Sequence, residues 1–282
     1  MTASAPSLPT AGAASFRVLV VVPTLGERLT TLARTLASVQ AQEGVAVDCV
    51  VVAKTLFDEL RTVVEAHGAR VIVDEGRVSA AINAGFAQAG PEHRYCCWIG
   101  DDDMLRPGSL RSATAALEAD PGAVVAFGHC DYIDFAGKLL FSRRPPPGAP
   151  ALLQLVPGLI KQETCLFRRS AVVAVGALDE SVRYAMDLDL LLRLRRQGRF
   201  VRLESVQAAF CWHPGSITIA NRDVSFKEAQ AIQTRHARGL VWLAFALLKT
   251  PIRMLVLAVN GRINRAFLPP ADAIEVAGRG KG

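Results

Sequence analysis

Hydrophobic positions in the first half of the chain follow two alternating periods. Short apolar runs typical of buried strands are followed by segments in which apolar residues recur every three or four positions. In the first such segment, Leu32, Leu36 and Val39 fall on one stripe, as in a helix that packs on a sheet. This alternation predicts a βαβ series with a largely parallel sheet. The predicted strands are 16–22, 47–52, 70–73 and 95–99, and the predicted helices are 27–42, 56–67 and 77–89.

The regular alternation ends in the second half of the chain. A proline-rich run at 143–150 can continue neither a helix nor a strand, so it predicts a linker or loop. Ser225 followed by Glu228 matches a capping box, which would open a helix that runs toward Arg238. The other predicted elements are helices over 107–119, 170–175 and 187–197, strands over 123–127 and 201–210, and an extended segment over 162–168.

The composition is that of a basic protein with ample apolar residues for a core. The chain has 282 residues, 51% of them hydrophobic, and a formal net charge of +6. A diffuse positive field suits anionic substrates or an anionic membrane surface. No nucleic-acid partner is expected, because the basic residues are scattered and aromatic residues make up only 6% of the chain. The six cysteines include no C-x-x-C pair and are expected to be reduced core residues.

Both ends of the chain carry information on where in the cell the protein is expected. Residues 1–15 lack the basic start and the long apolar stretch of a signal peptide, which favours a cytoplasmic protein. Near the other end, the apolar run at 239–248 is shorter than the about 20 residues that span a bilayer, and Pro251 interrupts its continuation. Segment 239–259 therefore either lies in a membrane interface or forms a helical hairpin on the core or across a dimer contact. The oligomeric state stays open.

Three consecutive aspartates, Asp101, Asp102 and Asp103, follow the predicted strand at 95–99. Carboxylates this close repel one another unless solvent, backbone donors or a cation compensates. Oxygen ligands suit Mg²⁺ or Mn²⁺, which proteins usually share with substrate phosphates. Because ligands of such sheets bind at the carboxyl ends of strands, the triplet predicts a site for a phosphate ester or nucleotide. The alternative is a solvated turn that caps the helix starting near Pro107.

Two further features carry candidate chemistry. Asp187 lies at the start of a predicted helix, where free backbone donors favour a carboxylate, so a helix cap is its simplest role. Asp189 has Arg193 one turn further on, which predicts a structural ion pair. His213 follows the predicted strand at 201–210, and a single histidine is more often structural than a ligand.

The order of these motifs resembles that of the family 2 glycosyltransferases, which have the GT-A fold. The likeness covers about residues 16–230. Each motif is weak alone, and their order and spacing are what make the resemblance specific. The motifs are Val-Pro-Thr at 22–24, Val-Val at 51–52, Ala-Ile-Asn-Ala-Gly-Phe at 81–86, Asp-Asp-Asp-Met-Leu-Arg-Pro-Gly-Ser-Leu at 101–110, and the segments 162–169, 175–180, 184–190 and 213–218.

The resemblance implies an α/β enzyme with a Rossmann-like, mostly parallel sheet and a C-terminal helical extension. It also implies transfer of a sugar, with inversion, from a nucleoside diphosphate sugar to an acceptor hydroxyl. In this family the aspartate motif holds a divalent cation, here Mn²⁺ or Mg²⁺, on the diphosphate. The metal ligands implied are Asp103, Asp101 and His213, and Asp187 corresponds to the general base.

The same resemblance implies a set of donor-binding residues along the strand ends. Arg77 matches a position that contacts the nucleotide, where a guanidinium pairs with phosphate or stacks near the base. The alternative for Arg77 is a solvated residue at a helix start. The donor-binding residues implied are Pro23, Thr24, Glu27, Arg77, Asn83, Asp101 and Asp102.

Two departures from the family pattern shape the expected function. Ala53 and Lys54 stand where the family usually has an acidic residue that reads the nucleobase, so base recognition must differ. The Gln-x-x-Arg-Trp sequence of processive synthases is absent, which favours single additions. We expect a peripheral enzyme on the cytoplasmic face of the inner membrane that glycosylates a glycan or a lipid-linked acceptor. The alternatives are a sugar-phosphate nucleotidyltransferase and an inactive scaffold for membrane glycan enzymes.

These expectations divide the chain into six segments. They are a disordered N-terminus (1–15), a nucleotide-sugar-binding half (16–142), the proline-rich loop (143–150), an acceptor-side half with the base (151–222), C-terminal helices with a membrane or partner contact (223–268) and a flexible tail (269–282).

Overall fold

The computed structural model describes residues 17–213 and 222–237, together with the isolated positions 250, 251, 254 and 258. The strands are β1 (Arg17–Thr24), β2 (Ala46–Ala53), β3 (Arg70–Val73), β4 (His93–Trp98), β5 (Met104–Leu105), β6 (Ala123–Ile133), β7 (Leu139–Arg143), β8 (Leu166–Arg168) and β9 (Arg199–Cys211). The helices are α1 (Leu29–Gln40), α2 (Asp58–Ala66), α3 (Val78–Phe86), α4 (Ser109–Ala119), α5 (Ala149–Leu152), α6 (Arg169–Ala174), α7 (Met186–Leu194) and α8 (Arg222–His236).

The strands of this described part form one sheet in the order β3-β2-β1-β4-β8-β6-β9-β5, and β7 pairs with β6. Strands β1 to β4 are mutually parallel, and β6 is parallel to β9. Because β8 is antiparallel to both β4 and β6, all six of these strands run in one direction. The predicted α/β architecture with a mostly parallel sheet is therefore confirmed.

The core lies where the helices cover the first four strands. Residues Val18 to Val22 of β1 are fully buried, as the continuous apolar run of a central parallel strand requires. Helix α3 approaches β1 closely at Gly85, where an added Cβ would lie 2.4 Å from Cγ1 of Val21. A glycine at this position therefore brings the helix onto the strand.

The described structure corrects the sequence-based elements mainly in the second half. Strand β6 continues past the predicted end to Ile133, and no pattern predicted β5, β7 or α5. The prediction that Ser225 caps a helix is wrong, because α8 begins at Arg222 and Ser225 lies inside it. The cysteines described are free, as predicted.

The predicted interfacial segment, 239–259, lies outside the described residues apart from the four isolated positions. Within the part that is described, no helix is both long and apolar enough to cross a membrane.

Candidate active site

The carboxyl edge of the sheet is the region formed by the segments that follow β1, β4 and β9. These segments carry Arg28, the triplet Asp101, Asp102 and Asp103, and His213. Arg28 and His213 are 185 residues apart in the chain, yet their side chains lie 3.2 Å apart. The three strands run in the same direction, and although β8 and β6 separate β4 from β9, the pairing of β5 with β9 brings the triplet beside the end of β9.

Asp101 is held by residues that follow or end β1. The Thr24 hydroxyl donates a hydrogen bond of 2.6 Å to Oδ2 of Asp101, and Nη2 of Arg28 donates one of 3.1 Å to Oδ1. Burial raises the pKa of Asp101, although the Thr24 hydrogen bond and the Arg28 charge oppose the shift. Both oxygens of this carboxylate therefore already have protein donors.

Asp102 shares one oxygen with two basic side chains. Its Oδ2 accepts a hydrogen bond of 2.9 Å from Nη1 of Arg28 and lies 2.8 Å from Nε2 of His213. Since Nη1 of Arg28 is also 3.2 Å from that nitrogen, Nε2 can donate to Asp102 or accept from Arg28, but it cannot do both. The site thus pairs an imidazole nitrogen with a carboxylate at the spacing of two ligands of one ion.

Asp103 is turned toward the sheet. It is 4% exposed, and its Oδ1 accepts the backbone N–H of Cys211 at 2.8 Å. Burial, then the Glu163 carboxylate, then Asp102 raise the pKa of Asp103 well above its usual range. This carboxylate joins β4 to the end of β9.

The metal ligands implied by sequence have different surroundings. Asp101 accepts hydrogen bonds from Thr24 and Arg28, and one oxygen of Asp103 accepts a backbone N–H of β9. Asp102 lies against His213. The sequence-based ligands Asp103, Asp101 and His213 stay a prediction, and Asp102 is a further candidate because it contacts His213.

Lys161 and Glu163 form a charged pair beside the triplet. Nζ of Lys161 is 3.3 Å from Oε1 of Glu163 and 4.0 Å from the ring centroid of Phe210. Burial lowers the pKa of Lys161, but the Glu163 carboxylate, together with Tyr132, Cys130 and Asp187, outweighs it, so the pKa is raised overall and the amine stays charged. The charges of both side chains act on Asp103 and on Asp187, so the pair is electrostatically linked to both carboxylates.

Asp187 lies in the first turn of α7, on the acceptor side proposed from sequence. Burial raises the pKa of its carboxyl group; the backbone N–H of Leu188 and the Lys161 charge lower it, and the Glu163 charge raises it further. A carboxylate with a raised pKa takes a proton more readily near neutral pH.

Glu228 holds the chain that leads into α7. Its Oε1 accepts the backbone N–H of Arg183 at 2.9 Å, and its Oε2 accepts those of Tyr184 and Ala185 at 2.5 and 2.8 Å. Sequence analysis assigned Glu228 to a capping box, and no local signal points to backbone donors more than 40 residues away. This glutamate fixes the position from which Asp187 projects.

Asp189 has a structural role, as its spacing predicted. Its Oδ2 accepts a hydrogen bond of 2.8 Å from Nε of Arg193, and its Oδ1 lies 2.8 Å from Nε2 of His236. The prediction of an Asp189–Arg193 ion pair is confirmed, and the contact with His236 on α8 was not foreseen.

The remaining predicted donor-binding residues are spread along α3 and the end of β1. Pro23 lies in β1 opposite Val52, and Glu27 and Arg77 are exposed. The side chain of Asn83 contacts the chain itself. Its amide donates to the carbonyl of Leu178 and to Glu180, each at 3.0 Å, and its oxygen accepts the Leu178 N–H. These bonds stabilise the loop after α6, and a role of Asn83 in donor binding stays a prediction.

A second acidic group lies at the opposite edge of the sheet. Asp48, Glu92 and His93 bring three ligand atoms within 4.8 Å of one another, and no other group in the described ranges does so. Arg17 donates to both carboxylate oxygens of Asp48 at 2.5 Å, and His93 lies 2.9 Å from the same side chain. The Arg17 hydrogen bond is the main reason that the pKa of Asp48 is lowered, so this group has its own counter-ions.

The carboxyl edge fits a divalent cation that is shared with a phosphate. Two of its side chains, Asp102 and His213, converge, which leaves the other positions of an ion to phosphate oxygens and water, as is usual for Mg²⁺. A carboxylate with an imidazole also suits Mn²⁺. Burial is the main cause of the raised pKa values of Asp101 and Asp103, and the Asp102 charge raises both further, so a cation here would be favourable.

Comparison with known proteins gives a family match over more than half of the chain. Residues 19–172 match the family model described as Glycosyl transferase family 2. No curated protein matches the whole sequence closely enough to count as a relative.

Solved structures share the fold. A mannosyltransferase, PcManGT from Pyrobaculum calidifontis, in complex with GDP-Man and Mn²⁺, is 17% identical, with a TM-score of 0.62 over 97% of this chain and 83% of its own. TarS 1–349 of S. aureus with UDP-GlcNAc is 15% identical, with a TM-score of 0.61 over 82% of this chain and 72% of its own.

A longer TarS chain of S. aureus is 16% identical, with a TM-score of 0.57 over 77% of this chain, which spans 39% of that chain. At these identities the similarity shows the fold, and the predicted GT-A fold is confirmed.

Proposed function

Because this chain belongs to glycosyl transferase family 2, we propose that it transfers a sugar from a nucleoside diphosphate sugar to an acceptor hydroxyl with inversion. The observation that carries the proposal is the arrangement of the carboxyl edge. At this edge Asp102 and His213 lie at the spacing of two ligands of one cation, and the charges of Lys161 and Glu163 act on both Asp103 and Asp187.

Binding of the donor follows from the charges at the carboxyl edge. Asp102 and His213 would hold Mn²⁺ or Mg²⁺ against the diphosphate, and the ion would neutralise negative charge on the leaving group. Arg28, which is 40% exposed, is close enough to pair with a phosphate oxygen as well as with the carboxylates. The diphosphate of the donor would therefore contact two positive charges, the cation and the Arg28 guanidinium.

Transfer follows as a single displacement. Asp187 accepts the proton of the acceptor hydroxyl as that oxygen attacks the anomeric carbon. The bond between the anomeric carbon and the diphosphate oxygen breaks, and its electron pair leaves with the nucleoside diphosphate. Attack from the face opposite the leaving group inverts the anomeric configuration.

Nucleotide choice is part of the proposal. The neighbouring structures hold UDP-GlcNAc or GDP-Man, so both belong in a donor panel. Ala53 is fully buried, and Lys54 after it is exposed, so no carboxylate reads the base at this strand end. We propose a glycan or lipid-linked acceptor at the cytoplasmic face of the inner membrane, reached through residues 239–259.

Release of nucleoside diphosphate from this panel, with Mn²⁺ and without it, tests the function. We expect one donor to be cleaved with Mn²⁺. Asp187→Asn should lower kcat about 10²- to 10⁴-fold while diphosphate binding is retained. Asp120→Asn, which changes the half-buried partner of the exposed Arg199, is the matched control and should leave kcat unaltered. Diphosphate binding without turnover of any donor would favour an inactive scaffold.

A further inference from the structure

Glu163 combines deep burial with a carboxylate oxygen that lacks a partner. Its side chain is 9% exposed, and Lys161 engages Oε1 at 3.3 Å. Oε2 is buried and has no hydrogen-bond partner among the described residues. Buried polar atoms almost always have a partner, so an orphaned oxygen beside an active site points to a donor that the substrate supplies.

The backbone around Glu163 is rigidly held at the carboxyl edge. Gln162 donates a hydrogen bond of 2.6 Å from Nε2 to the carbonyl of Trp98, the last residue of β4. The Thr164 hydroxyl donates one of 2.7 Å to the carbonyl of Lys161, which closes the 3₁₀ turn. Glu163 is therefore fixed to the strand end from which the aspartate triplet continues.

The location of Glu163 matches that of the sugar ring in the proposed reaction. Gln162, the residue before it, is bonded to the end of β4, and Nζ of its partner Lys161 lies 4.0 Å from the ring centroid of Phe210, next to the Cys211 N–H that Asp103 accepts. The charge of Glu163 also acts on Asp187. In the proposed reaction the diphosphate would lie by the triplet, and the acceptor hydroxyl would lie beside Asp187. The transferred sugar must occupy the space between them, because the anomeric carbon joins the leaving group on one face and the attacking oxygen on the other.

We infer that Glu163 binds a hydroxyl group of the donor sugar through Oε2, while Lys161 holds Oε1; this inference rests on the proposed function. The sugar hydroxyl donates and the carboxylate accepts, which gives the orphaned oxygen its missing partner. A site that binds one hydroxyl in this way rejects donors that lack it. Glu163 is thus a determinant of which sugar is transferred.

The test combines deoxygenated donors with an isosteric variant. The probes are the donor cleaved in the panel above and its analogues that lack one sugar hydroxyl each. In the wild type, one analogue should lose at least about tenfold in kcat/KM, since a hydrogen bond to a charged group is lost. In Glu163→Gln, discrimination against that analogue should shrink to about threefold or less, while the other analogues behave as in the wild type.

Three measurements keep failure of the inference distinct from failure of the proposed function. Affinity for the free nucleoside diphosphate with Mn²⁺ should be equal in wild type and Glu163→Gln, and Glu204→Gln, an exposed glutamate, is the control. If the wild type has the same kcat/KM for the donor and for every deoxygenated analogue, the inference is overturned, and this result does not depend on a variant. An equal loss of kcat with every donor in Glu163→Gln also overturns it. If the wild type neither cleaves any donor nor binds nucleoside diphosphate, both proposals fail.

Discussion

Oδ2 of Asp102 lies 2.8 Å from Nε2 of His213, at the junction of two strand ends that are far apart in the chain. Arg28 contacts both residues, so the Asp102 carboxylate already has a counter-ion without a metal. A cation bound here would take the Nε2 lone pair and an Asp102 oxygen, and the imidazole proton would then have to reside on Nδ1.

The Asp102–His213 pair predicts how metal affinity depends on single side chains. His213→Gln and Asp102→Asn should each weaken Mn²⁺ binding at least about tenfold in the presence of nucleoside diphosphate. Free Mn²⁺ can be measured by electron paramagnetic resonance. His67→Gln, at the end of α2, is the control. Unchanged affinity in both site variants would show that the ion binds elsewhere.

The raised pKa of Asp187 predicts the acid side of the activity profile. The base must be ionised to act, so kcat should fall as pH falls through this pKa, above the ordinary range of an aspartate. Lys161 and Glu163 are the charged side chains whose fields reach Asp187. Lys161→Met removes the charge that lowers this pKa, so the acid limb should move to higher pH.

A pH series of kcat for wild type and Lys161→Met measures this shift. Lys138→Met, at an exposed lysine, provides the control and should leave the acid limb in place. A limb that stays in place in Lys161→Met would contradict the placement of Lys161 beside the base.

Glu228 should affect catalysis by positioning Asp187. A glutamine can offer one acceptor oxygen to the three backbone N–H groups of residues 183–185, so Glu228→Gln should loosen the start of α7. We expect kcat to fall about tenfold, with little change in KM for the donor. Steady-state kinetics beside Glu65→Gln, an exposed glutamate of α2, checks this. An equal effect of both variants would remove Glu228 from this role.

Features that depend on residues close together in the sequence could be predicted, and contacts between distant residues could not. Strands β1 to β4 follow from short apolar runs, and the aspartate triplet and Asp187 were found from short sequence motifs. The partners of those side chains do not, because Arg28 meets His213, and Glu228 meets residues 183–185, only after the sheet has formed. Asn83 is a further example, since the sequence did not predict that this motif position bonds to the loop after α6.

Asp189 should contribute to stability rather than catalysis. It is 1% exposed, and burial raises its pKa, but hydrogen bonds from His236 and Arg193 outweigh burial and lower it overall. Because the pKa is lower in the folded state than in the unfolded state, Asp189 stabilises the protein at pH values above the unfolded-state pKa, and this stabilisation is lost as pH falls through the folded-state pKa.

Asp189→Asn should lower the free energy of unfolding by about 3 kcal/mol, because it leaves the buried partners of Asp189 without their carboxylate. Glu65→Gln, in the exposed pair with Arg61, should cost less than about 1 kcal/mol. Denaturant unfolding at neutral and acidic pH measures both, and equal losses would contradict the buried network.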